Sequence, residues 1–146
     1  MTTMLRRVQG LMAALWGGFL LCVAGVAAPT AFAALERAGA IVYVRRLFEL
    51  EAQVALAVGI VLMVIDRRIA RDTNDVSKQG ATMEFLLPAG ALLCTVIGYY
   101  VIQPQMESAM GTPLAMKLHF ASMAFFVVKT VAVLTLAWKL SPRPSS

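Results

Sequence analysis

The sequence has little charge along most of its length. Charged residues make up only 14% of the 146 residues, hydrophobic residues make up 60%, and four long apolar stretches are separated by short charged segments. A helix on the surface of a water-soluble protein needs polar residues at every third or fourth position, and these stretches lack them. The composition therefore excludes a water-soluble domain and predicts a multi-pass membrane protein.

Cysteine and histidine are also scarce. The chain has two cysteines, Cys22 and Cys94, and one histidine, His119. Each cysteine falls near the middle of an apolar stretch, so the sequence excludes a disulfide framework and predicts free thiols. A haem held by two histidines of one chain is excluded as well. No nucleotide-binding loop, catalytic triad or zinc motif is present. We therefore expect a protein that is not an enzyme.

Four transmembrane helices are predicted, and together they form a single all-α domain, a four-helix bundle. Each approaches the ~20 residues that a helix needs to cross a hydrocarbon core about 30 Å thick. The predicted spans are residues 8–35, 47–65, 82–103 and 113–140.

Turn and capping residues set some of these boundaries. Thr112 and Pro113 predict the start of the fourth helix, with a threonine N-cap and a proline in the first position. Pro104 predicts the end of the third helix, since proline lacks the amide donor. Between the first two spans, apolar residues mixed with Arg45 and Arg46 predict a short helix lying in the membrane interface.

The distribution of basic residues predicts the orientation. One side carries both termini and eight basic residues: Arg6, Arg7, Arg67, Arg68, Arg71, Lys78, Lys139 and Arg143. The other side carries four: Arg37, Arg45, Arg46 and Lys117. Because lysine and arginine collect in cytoplasmic loops, both termini are predicted to be cytoplasmic, in a bacterial inner membrane. This topology accounts for the net charge of +5 without a nucleic-acid partner.

The first apolar stretch has two interpretations. Arg6 and Arg7, the apolar run and the pattern Ala31-Phe32-Ala33 resemble a secretory signal with its cleavage site. The run is longer than the usual 7–15-residue signal core, which favours a retained span.

Within the first span, small residues recur at a spacing of four, at Ala14, Gly18 and Cys22, and Gly17 and Gly25 lie on neighbouring tracks of the helix. Such spacing predicts close contact with a neighbouring helix. Pro29 predicts a kink in the last turns of the same helix.

Several short motifs resemble the bacterial family called domain of unknown function 4149, which is related to eukaryotic transmembrane protein 205. They are APTAFAAL at 28–35 followed by RAG at 37–39 and LFE at 47–49, QPQM at 103–106, and LHFASM at 118–123. The resemblance implies a four-helix membrane protein of unestablished activity. The eukaryotic relatives are associated with platinum-drug resistance and export, so it also implies a role related to transport.

One group of candidate ligands lies near the predicted periplasmic end: Met106, Met110, Met116, His119 and Met123. The last three share one helix face, because they are three and four residues apart. Thioether sulfur selects Cu(I), and an imidazole completes such a site. The alternative is that the methionines fill gaps between apolar helices and that His119 hydrogen-bonds Glu49 or Glu51. The sequence favours this alternative over a metal site.

The second group contains polar residues expected within or close to the bilayer: Lys129, Ser122, Glu49, Glu51 and Gln103. Glu49 and Glu51 are expected to open the second helix, where the macrodipole stabilises carboxylates. No carboxylate is expected at the depth of Lys129. The lysine is therefore predicted to extend toward water or to face a cavity, and the first alternative is favoured.

Three functions remain open at this point. An enzyme, which we do not expect, needs clustered titratable groups at a depth that a substrate can reach, and the sequence offers few of them. A small-solute or metal-related transport or resistance factor needs a polar cavity that reaches Lys129. An accessory or scaffolding subunit of a larger membrane complex needs an apolar contact face and no cavity. Because four helices barely enclose a path, a transporter is predicted to be oligomeric. The chain is therefore expected in the lipid bilayer as a homo-oligomer or as a subunit of a membrane complex. The family resemblance favours transport.

Overall fold

The computed structural model describes residues 1–73 and 82–141. In this part of the chain, four helices are long and apolar enough to cross a membrane: α1 Thr2–Ala34, α2 Arg37–Asp72, α3 Met83–Ser108 and α4 Pro113–Leu140. No strand occurs in the described residues. The predicted all-α four-helix bundle is confirmed.

The helices form a ring in which each packs along two neighbours. α1 packs along α2 and α4, and α3 packs along the same two helices. α2 and α4 therefore stand at opposite corners of the bundle. The start of α1 lies beside the end of α4, since the position of a Cβ on Gly10 is 3.3 Å from the carbonyl oxygen of Leu140. We call this end, which carries both termini, the terminal end.

Every helix contributes between one and three residues to the core of the bundle: Ala13, Trp16, Leu20, Ala55, Leu62, Ala91, Val133 and Leu136. Most of the remaining apolar surface faces outward. In the most apolar window of each span only 28, 28, 28 and 17% of the residues are buried. A hydrocarbon environment accepts such a surface and water does not, so the chain is a multi-pass membrane protein.

Glycine allows close helix contacts at two levels of the bundle. A Cβ on Gly17 would lie 2.9 Å from the Leu134 side chain, and a Cβ on Gly59 would lie 2.6 Å from the Leu92 side chain. Ala14, Gly18 and Cys22, by contrast, are exposed. Within this chain, Gly17 makes the predicted close contact with a neighbouring helix, and the row formed by Ala14, Gly18 and Cys22 does not.

Two prolines are accommodated by π-helical turns. Residues Val23–Ala27 of α1 are π-helical just before Pro29, and residues Val96–Ile102 of α3 are π-helical just before Pro104. A proline removes one i to i−4 hydrogen bond and its ring crowds the preceding turn, and a wider turn relieves that crowding. The prediction that Pro104 ends the third helix is wrong, because α3 continues to Ser108.

The predicted short interfacial helix is not a separate element. Its residues form the first turns of α2, a continuous helix of 36 residues that is about 54 Å long at 1.5 Å per residue. A salt bridge from Arg45 to Glu107 fixes these turns against the end of α3. The second helix therefore begins at Arg37 and not at Leu47.

A threonine precedes each of the two other helices, but only one of the two caps its helix with the side chain. Thr82 caps α3, and its hydroxyl oxygen accepts a hydrogen bond from the Phe85 amide at 3.2 Å. Thr112 precedes Pro113 at the start of α4, as predicted. Its hydroxyl does not cap the helix, because it donates to the Ala109 carbonyl at 2.6 Å.

We predict that Gly59→Leu lowers the stability of the bundle, because the new side chain occupies the space of Leu92. Overpacking of this kind typically costs about 1–3 kcal/mol. The unfolding free energy in mixed detergent micelles measures the effect. Gly90→Leu is the matched control, since no atom lies within 4 Å of its Cβ position. Equal stability of the two variants would contradict the close α2–α3 contact.

Candidate functional site

A buried ion pair crosses the interior of the bundle between its two opposite helices. The Lys129 ammonium on α4 donates to both carboxylate oxygens of Glu51 on α2, at 2.9 and 2.7 Å. Their side chains are only 5% and 3% exposed. Charges within a bilayer are rare and normally pair with one another, so this pair is the first candidate for a functional site.

An aromatic contact lies beside the lysine. The Lys129 ammonium lies 4.8 Å from the centre of the Phe126 ring, within the range of a cation–π interaction. Phe126 packs edge-on against Phe48 of α2 with ring centres 5.5 Å apart. The aromatic contact thus spans the same two helices as the ion pair, one turn away from it.

The neighbouring polar groups on α3 complete the surroundings of the pair. The Thr95 hydroxyl is buried but donates to the Ala91 carbonyl of its own helix at 3.0 Å. Cys94 lies within electrostatic range of Lys129, and its side chain is half-buried. Neither group carries a charge that competes for the lysine.

The expectation that no carboxylate reaches the depth of Lys129 is wrong. It placed Glu51 in the first turn of its helix, whereas α2 begins at Arg37 and Glu51 lies about four turns inside. The macrodipole explanation for Glu49 and Glu51 fails for the same reason, because that effect is confined to the first turn.

The other sequence-predicted polar residues lie apart from the pair. Glu49 accepts a hydrogen bond from Arg46 at 2.5 Å, and His119 is exposed. The predicted bond from His119 to Glu49 or Glu51 is therefore not made. Ser122 and Gln103 are half-buried, and neither hydrogen-bonds the pair in the described residues.

The predicted metal ligands are spread over an outward surface. Met116, His119 and Met123 are all exposed on α4, which agrees with their predicted shared face. Met110 is also exposed and Met106 is half-buried. In the described residues no group of three or more histidine, cysteine or acidic side chains could hold a metal ion. Binding of Cu(I) by thioethers at this surface stays a prediction.

Sequence reasoning missed a second buried acid at the terminal end. Asp66 is 5% exposed, and its carboxylate accepts a hydrogen bond from the Thr82 hydroxyl at 3.2 Å. This bond joins the end of α2 to the N-cap of α3. The sequence signal is an acid directly after an apolar run, at the first position beyond the predicted span 47–65.

Two further polar groups face the interior from α1. The Gln9 amide nitrogen and the Trp16 indole nitrogen are buried, and neither has a hydrogen-bond partner in the described structure. Trp16 precedes Gly17, which contacts Leu134, and Leu134 lies five residues, or about 7.5 Å, beyond Lys129. The interior between the terminal end and the ion pair is therefore partly polar.

The four apolar helices and the buried ion pair define an integral membrane protein whose interior holds two opposite charges that neutralise each other. The chain belongs to the family described as Domain of unknown function (DUF4149), whose sequence profile matches residues 11–113. No curated protein and no solved structure gives a significant match. The matched residues include Glu51 and end at Pro113, the first residue of α4, so Lys129 and the 118–123 motif lie beyond them.

We predict that removing one member of the pair destabilises the bundle more than removing both. Glu51→Gln and Lys129→Met each leave an unpaired charge or polar group in the interior, at a cost of about 3–5 kcal/mol. The double variant should recover most of that loss. Unfolding free energies of the four proteins of this double-mutant cycle measure the coupling.

Lys139→Met is the matched control, because it removes an exposed lysine from the same helix. Its effect should stay within about 0.5 kcal/mol. If the two single losses simply add in the double variant, the pair is not coupled.

Proposed function

We propose that the protein is a structural subunit of an oligomeric assembly in the bacterial inner membrane, with both termini in the cytoplasm. The observation that carries this proposal is that both members of the ion pair have their partner within the chain. Glu51 and Lys129 neutralise each other within the chain, and neither lines the groove between α2 and α3 at the terminal end or the groove near Tyr43. Because each charge already has its partner in this conformation, the outer surface is the part of the chain that we expect to bind other molecules.

The outward face of α1 supports self-association. Ala14, Gly18 and Cys22 are exposed along this face, and nothing lies within 4 Å of a Cβ position on Gly18 or Gly25. Small residues at a spacing of four allow two helix backbones to approach closely in lipid, where the hydrophobic effect does not drive association. The opposite side of the same helix uses Gly17 for contact with α4.

We predict that Cys22 of two copies can be joined by oxidation in native membranes. The background is Cys94→Ser, which leaves Cys22 as the only thiol. Adding Gly18→Leu should reduce the cross-linked fraction several-fold, because the larger side chain separates the helices while the monomer has space for it. Gly90→Leu should leave cross-linking unchanged.

Absence of a cross-link, together with a monomeric mass in mild detergent, would contradict self-association through α1. Equal cross-linking in the Gly18→Leu and Gly90→Leu variants would place the contact elsewhere. Circular dichroism and the unfolding midpoint establish that both variants fold.

A transport-related function is the second candidate, and the polar interior favours it. The Gln9 and Trp16 donors lie between the terminal end and the Lys129–Glu51 pair without partners in the described structure. A transporter built on this bundle would open a water-filled path along them in another conformation. The ion pair would then separate or change partners as the path opens.

Labelling of Cys94 distinguishes the two functions. In a Cys22→Ser background, a charged methanethiosulfonate reagent should modify Cys94 if water reaches the level of Lys129 during the working cycle. A structural subunit should leave Cys94 unmodified until the protein is unfolded. The rate of modification in membrane vesicles is the measurement, and a cysteine placed at exposed Ser108 is the reactive control.

A further inference from the structure

A groove with one basic and one apolar half lies between α2 and α3 at the terminal end. Its volume is about 680 Å³. The residues that line it are Ile60, Met63, Val64, Arg67, Arg68, Arg71, Asp72, Phe85 and Leu92. No residue of the ion pair belongs to it.

Three arginines form the basic half within little more than one turn of α2. Arg67, Arg68 and Arg71 exceed the single acid of the groove, Asp72, by two charges. The Arg67 guanidinium lies 3.9 Å above the Phe85 ring, which holds it against α3. Arg68 and Arg71 are exposed, so they can reach a ligand at the membrane surface.

The apolar half continues toward the bilayer centre. Ile60, Val64 and Leu92 line it, and Ile60 and Val64 are exposed on the outer surface of α2. Residues 60, 64, 67 and 71 follow one face of a helix, so the apolar wall leads directly to the arginines. The groove is therefore amphipathic along the direction of the membrane normal.

We propose that this groove binds a phospholipid with an anionic headgroup. The arginines supply charge complementarity to the phosphate, and arginine donates to phosphate oxygens in a fixed planar geometry. Basic sites between helices at the cytoplasmic side of a membrane suit anionic lipid headgroups. The apolar half distinguishes a lipid from a free phosphate, because a free anion would leave that wall without a ligand.

Native mass spectrometry of the full chain in mild detergent tests the proposal. The probes are dioleoyl phosphatidylglycerol and dioleoyl phosphatidylcholine, titrated separately. The phosphatidylglycerol complex should persist at higher collision energy and form at lower lipid concentration. In the Arg68→Gln/Arg71→Gln variant its affinity should fall about thirty-fold, which corresponds to about 1 kcal/mol for each arginine.

Two further variants separate charge at the site from charge in general. Arg7→Gln/Lys139→Gln removes two exposed positive charges from the same end of the bundle but outside the groove. This control should keep the affinity and selectivity of the wild type. Val64→Phe fills the apolar half and leaves the arginines intact, and it should also weaken phosphatidylglycerol binding.

Three outcomes would overturn the proposal. The first is equal binding of phosphatidylglycerol and phosphatidylcholine. The second is an equal loss in the groove variant and in the Arg7→Gln/Lys139→Gln control. The third is full binding by Val64→Phe together with displacement of the lipid by inorganic phosphate, which would assign the arginines to a soluble anion. Circular dichroism checks that each variant is folded.

Discussion

The Lys129–Glu51 ion pair constrains the arrangement of the whole bundle. Apolar helices in lipid have no hydrophobic driving force that selects one register over another. A charge left unpaired in hydrocarbon is costly, so α2 and α4 cannot slide or rotate past each other without losing the pair. Because these two helices stand at opposite corners, fixing them also fixes the space in which α1 and α3 must fit.

The four helices divide two structural tasks between them. α2 and α4 carry the two charges of the ion pair and are α-helical over their whole described lengths. α1 and α3 carry the internal prolines Pro29, Pro88 and Pro104, and π-helical turns precede Pro29 and Pro104. A helix that widens locally can adjust to its neighbours, whereas a regular helix keeps its side chains at defined positions. The pair is therefore held by the regular helices, and the adjustable ones pack around it.

Features that depend on composition were predicted correctly from the sequence. A feature that depends on where the second helix begins was not. The number of spans, the start of α4 at Pro113 and the unusual position of Lys129 follow from apolar runs and single residues. The partner of Lys129 did not, because the second helix was expected to begin ten residues after Arg37. That shift moved Glu51 to a helix terminus and removed it from the interior. A contact between opposite helices of the bundle depends on the register of one helix relative to the other. No local sequence pattern encodes that register.

The outer surfaces used by the proposed partners are distinct. The arginine-lined groove lies between α2 and α3, whereas the small-residue row of α1 faces away from its own contacts with α2 and α4. A second copy bound at Gly18 would thus leave the groove open to lipid, and a lipid in the groove would leave Gly18 open to a second copy. Since neither surface includes the ion pair, both can be occupied while the interior stays closed. Opening of the interior would instead require α2 and α4 to separate, and this motion would also move the arginines of α2 relative to Phe85 on α3.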